Sequence, residues 1–81
     1  MENNVNIERK KACAINLMRT MLMKYSKNNN ISFEDAFIDF AKSSTYSSLF
    51  DFDTGIWKEG PDYLMEIYIE ENKLHNQNEG N

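Results

Sequence analysis

A single cysteine, a single histidine and a single proline close off several chemistries before any pattern is read. With Cys13 alone, no disulfide forms within the chain, and no zinc site assembles from Cys13 and His75 without several carboxylates. Nucleophilic catalysis needs a base within reach of the nucleophile and a third group to orient that base, and the one histidine lies in the polar C-terminal stretch HNQNEGN. No apolar run approaches the ~20 residues that span a bilayer, and MENNVNIERKK is polar where a secretory signal needs an apolar segment. The expectation is a cytoplasmic protein with no membrane contact, no metal and no cofactor. Glycine is scarce too, and two of the three, Gly55 and Gly60, flank the only tryptophan.

What is present is bulk and charge. The 81 residues make one domain, of a size that buries only about 60% of the surface its unfolded chain exposes. Hydrophobic residues amount to 41%, and the aromatics supply large area per residue, which favours a folded core over disorder. The net charge of −4 hides an asymmetry: residues 1–30 sum to +4 and residues 31–81 to −8. An acidic total argues against general nucleic-acid binding, which relies on clustered Lys and Arg.

The pattern is helical throughout. Residues 1–6 are polar and predicted to fray. From Ile7 to Lys27, the residues Ile7, Ala14, Ile15, Met18, Met21, Leu22 and Tyr25 fall on one face at helical spacing, with Leu17, Met23 and Cys13 off that stripe. Met fills irregular gaps in cores, so the wide apolar sector reads as core first and as a partner groove second. The Asn28–Asn30 run ends the helix, since Asn tolerates the left-handed conformation. Ser32 then reads as an N-cap accepting from the backbone near Asp35, and Phe33, Ala36, Phe37, Phe40 and Ala41 share one face of a second helix. Ser43 or Ser44 caps a short third helix carrying Tyr46, Leu49 and Phe50. Asp51–Gly55 is a polar turn, Ile56–Trp57 a loop, and Pro61 opens a last helix to about Lys73 that carries Leu64, Ile67 and Tyr68. Residues 75–81 are predicted to be disordered. The fold expected is all-α, a compact orthogonal bundle of four helices, one long and three shorter, over residues 7–74.

The constellations that resemble chemistry are thin. Cys13 beside Lys10 and Lys11 is read as a small apolar filler rather than a reactive thiol. Asp51, Asp53 and Asp62 have part of the spacing of a calcium loop, but Gly55 stands at a ligand position and Ile56 where the sharp-turn glycine belongs, so an Asx-type turn is the reading preferred. The second and third helices have the outline of a helix-turn-helix, yet Thr45, Tyr46, Ser47 and Ser48 offer a groove no cation. Catalysis by paired carboxylates requires one raised in pKa by burial, whereas these acids fall on solvated faces. The chain is read as not an enzyme.

The clearest surface feature is an acidic stripe. Asp62, Glu66 and Glu70 recur every fourth residue, with Glu59 and Glu71 nearby. Such a stripe is either a solvated face or a docking surface for a basic partner. With Trp57 as an aromatic anchor, the candidate partner-binding residues are Trp57, Glu59, Asp62, Glu66 and Glu70. The basic first helix, with Arg9, Lys10, Lys11, Arg19 and Lys24, makes self-association a further possibility.

The segment SSTYSSLFDFDTGIWKEGPDYLMEIYIEE, preceded by ISFEDAFIDFAK, resembles short uncharacterised helical proteins of Gram-positive bacteria, which in turn resemble the small members of two-gene toxin–antitoxin-type or mobile-element operons. The likeness spans residues 31–71 and rests on Ser44, Thr45, Tyr46, Leu49, Asp51, Thr54, Gly55, Trp57, Glu59, Gly60, Pro61 and Tyr63. It implies an accessory or antitoxin-like protein and carries over no functional site; the first helix lies outside it. The function expected is a non-catalytic protein-binding module using an acidic helix face and an aromatic anchor. The alternative is a nucleic-acid-associated regulator working through the basic first helix.

Overall fold

A computed structural model describes the backbone of residues 4–79 and the side chains of residues 6–74. Among the described residues the protein is all-α: α1 (Asn4–Asn29), α2 (Phe33–Ala41), α3 (Ser44–Leu49) and α4 (Pro61–Glu79), with single 3-10 turns at Phe52–Thr54 and Ile56–Lys58 and no strand. Two boundaries differ from those read in the sequence. α1 starts at Asn4, and α4 continues to Glu79 because neither Pro nor Gly interrupts the chain between Asp62 and Gly80. The fraying and disorder expected at the ends thus meet helical backbone at 4–6 and 75–79; residues 1–3 and 80–81 lie outside the described residues.

The helix ends follow local chemistry. α1 closes with Asn30 at φ 54°, the Asn30 N–H donating to the Lys27 carbonyl and the Ile31 N–H to that of Ser26 at 3.0 Å. This paired arrangement satisfies carbonyls that a helix end otherwise leaves open. The Ser32 hydroxyl accepts from Asp35 N–H at 3.0 Å and that of Ser43 from Tyr46 N–H at 3.0 Å, so both predicted caps form. At the turn, Asp51 Oδ1 accepts from Asp53 N–H, the Asx geometry expected there, and Gly55 supplies φ 78° between the two 3-10 turns. Pro61 opens α4, with Leu64 N–H donating to the Gly60 carbonyl.

α1 packs against α2, α4 and the second 3-10 turn. Its buried face holds Ala14, Leu17, Met18, Met21 and Leu22, which meet Ala36 and Phe40 of α2, Leu49 of α3, and Leu64 and Tyr68 of α4. Cover from three sides turns the buried stripe toward Leu17, which is in the core, and leaves Ile15 exposed, the reverse of what periodicity alone predicts. Cys13 is likewise exposed rather than a core filler. Phe40 sits at the centre, edge-on to Tyr68 at 4.9 Å and to Tyr46 at 5.9 Å, while Tyr25 tilts over Tyr68 at 5.2 Å. No helix among the described residues is long and apolar enough to cross a membrane.

Candidate functional site

The acidic stripe predicted by spacing forms. Asp62, Glu66 and Glu70 are all exposed on α4, on the side away from Leu64 and Tyr68. Asp62 reaches Lys24 of α1 at 3.3 Å, and Glu70 reaches Lys73 at 3.7 Å within the helix. Both pairs are open to water, where such contacts contribute little to folding. Glu59 is also exposed, just before Gly60-Pro61.

Trp57 is placed differently from an open anchor. Its ring is half-buried against the core. The Nε1–H donates to the Phe52 carbonyl at 2.9 Å, the Phe52 ring meets it edge-on at 6.1 Å, and the ammonium groups of Lys10 and Lys58 lie 5.6 and 5.7 Å from the ring centroid. The indole therefore joins the 3-10 turns to α1, since Lys10 belongs to α1. The structure does not bring Trp57 and the stripe together through any direct side-chain contact that it records.

Glu71 leaves the acidic group altogether. Its Oε1 accepts from the N–H and hydroxyl of Thr45 at 2.8 and 2.6 Å, and its Oε2 from Ser44 N–H at 2.8 Å. A carboxylate from α4 thus occupies the positive end of α3. Beside it, Asp39, Lys42, Ser43 and Asn72 complete a polar cleft. Tyr68 borders this region, and burial pushes its phenol above the ordinary value of 10.0; a hydrogen bond with Asn72 partly offsets this, while Tyr25, Asp39 and Glu71 add to the rise. Among the described residues no cluster of three or more His, Cys, Asp or Glu is arranged to hold a metal ion.

Two apolar surfaces stand apart from the stripe, the first missed by sequence reasoning and the second foreshadowed by the wide apolar sector of α1. On α2, Ala36 and Phe40 are buried, but Phe33 (38%), Phe37 (39%) and Ile38 (51%) remain exposed and, with Glu34, line a shallow apolar groove. The signal is present in the composition, since six of the nine residues of FEDAFIDFA are apolar, more than one core contact consumes. On α1, a second groove is lined by Thr20, Met23, Lys24 and Lys27, with Met23 54% exposed. This is the Met23 side to which the wide apolar sector points.

Comparison of the chain with protein-family models, with curated proteins and with solved structures finds no match in any of the three.

Proposed function

We propose that this chain is a non-catalytic protein-binding module of the antitoxin-like or accessory kind, acting in the cytoplasm. Its four helices, taken as an orthogonal bundle, carry aromatic anchors and acidic faces for a partner with a basic surface. The single observation that carries the reading is the exposure of Phe33, Phe37 and Ile38 together on one nine-residue helix, beside Glu34. Clustered exposed apolar side chains with a polar rim are what interaction sites present. Asp35 and Asp39 on α2, and Glu59, Asp62, Glu66 and Glu70 further on, are exposed and supply the charge that steers a basic partner in.

The test is a Phe33→Asp/Phe37→Asp variant. Both rings are already more than a third exposed, so helical circular dichroism should persist. Co-purification with the partner from producing cells should be lost, and unchanged recovery would overturn the reading.

A second reading has its own observation. No carboxylate lies between Glu8 and Glu34, and Arg9, Lys11, Arg19, Lys24 and Lys27 are all exposed. This supports a nucleic-acid-associated regulator working through α1. A gel-shift series with duplex and single-stranded DNA decides: binding that falls steeply with salt supports it, and no shift at low salt removes it.

A further inference from the structure

We propose that the apolar groove of α2 is an interface with a second copy of this chain, whose α1 groove receives it. This rests on the protein-binding reading above and names the partner. The two surfaces are complementary in kind. The α2 side presents Phe33, Phe37 and Ile38 with the carboxylate of Glu34 among them. The α1 side presents Met23 between Lys24, Lys27 and Thr20, so the apolar floor of one and the aliphatic stems of the other meet while unlike charges face each other at the rim.

The charge match extends past the grooves. From Arg9 to Lys27 every charged side chain is positive, whereas α2 carries Glu34, Asp35 and Asp39 and no cation before Lys42. Within one molecule Lys11 pairs with Glu8 of its own helix and Lys24 with Asp62 of α4, both at exposed positions, and the α1 and α2 grooves share no lining residue.

Both grooves also lie beside the same turn. Lys27 is in the last turn of α1 and Phe33 opens α2, with only residues 28–32 between them. A two-fold pair then makes the contact twice, the Phe33, Phe37 and Ile38 side chains of each copy meeting the Met23 groove of the other, which closes the assembly instead of extending it into a filament. Each groove is lined by only four of the described residues, the scale of a weak, transient contact, so association in the micromolar range is expected.

Analytical ultracentrifugation of the purified chain, from low-micromolar to near-millimolar concentration, should show a reversible monomer–dimer equilibrium that salt weakens. Ile38→Asp, Glu34→Lys and Lys27→Glu should each weaken it by at least about tenfold with helical circular dichroism retained. Glu34→Lys combined with Lys27→Glu should restore dimerisation, a rescue that general destabilisation does not produce. A photo-crosslinker at position 38 should join peptides containing residues 20–27 of another copy. A monomer at every concentration, or a dimer indifferent to all of these changes, overturns the proposal. If the position-38 crosslink in cells forms only with a different protein, the self-association fails while the protein-binding reading stands; no crosslink in either setting ends both.

Discussion

Glu71 and Thr45 are joined twice, the Oε1 of the carboxylate accepting from both the backbone N–H and the hydroxyl of the threonine, at 2.8 and 2.6 Å. Thr45 is buried, and the six-residue helix it belongs to is too short to be stable on its own. The contact therefore ties α3 to α4 at the point where α3 has the most unsatisfied donors. Glu71→Ala should cost about 2–3 kcal/mol, since hydrogen bonds to a charged group exceed neutral ones and the donors lose their acceptor. Glu71→Gln should cost roughly half as much, because one amide oxygen still accepts while the NH2 faces an N–H. Urea unfolding followed by the fluorescence of Trp57, the only tryptophan, measures both; equal stability of Glu71→Ala and wild type would show that α3 is held by packing alone.

The parts of this fold legible in the sequence are those governed by rules acting over a few residues. Ser32, Ser43, Asn30 and Pro61 each stand where cap chemistry, left-handed tolerance or a missing N–H requires them. What could not be read depends on which neighbour covers a side chain. Glu71 belongs to the acidic series by proximity, yet it is three residues after Tyr68 and seven after Leu64, on the buried side of α4, and a carboxylate at core spacing is the sign that was available. The phenylalanines of α2 keep one unbroken helical face, but α1, α3 and Tyr68 of α4 cover only the part of it at Ala36 and Phe40. Periodicity shows that a face is apolar and leaves open how much of it finds a partner.

Trp57 gives a second stability test. Half-buried rather than enclosed, it packs on Phe52 and donates to that residue's own carbonyl. Trp57→Ala should cost about 2 kcal/mol, below the range for fully buried aromatics. Trp57→Phe should cost about 1 kcal/mol, with the ring retained and the hydrogen bond lost. A loss under about 1 kcal/mol for the alanine variant would free the indole for a partner, the anchor role expected from the sequence.

Tyr68 sets a pH limit. Burial disfavours its phenolate, so the folded chain holds the proton more tightly than the unfolded chain does. Its contribution is intact below 10.0, and stability falls as pH rises from there through the raised folded value, because unfolding then releases a proton. Tyr68→Phe should flatten this alkaline slope in urea midpoints taken between neutral pH and about pH 11. Near neutrality it should cost only about 1 kcal/mol, since the ring and its packing on Phe40 and Tyr25 are kept and only the hydroxyl is lost. An unchanged slope would assign the alkaline loss to other groups.

The acidic stripe separates binding from folding. Replacing Asp62, Glu66 and Glu70 together with Lys removes the Asp62–Lys24 and Glu70–Lys73 pairs, both exposed, and sets like charges beside Lys24 and Lys73. Pairs of this kind are screened and individually weak, so folding should change by less than about 1 kcal/mol in urea unfolding. A larger loss would mean that the Lys24 contact holds α1 against the start of α4. Association with a basic partner responds differently, since six units of charge are inverted on one face of α4. Its rate should drop strongly at low salt and recover toward the wild-type value as salt rises, which stopped-flow or surface-based kinetics would resolve. A triple variant that binds the same partner with unchanged rate and salt dependence would remove the stripe from the interface and leave the Phe33, Phe37 and Ile38 groove of α2 to account for docking alone.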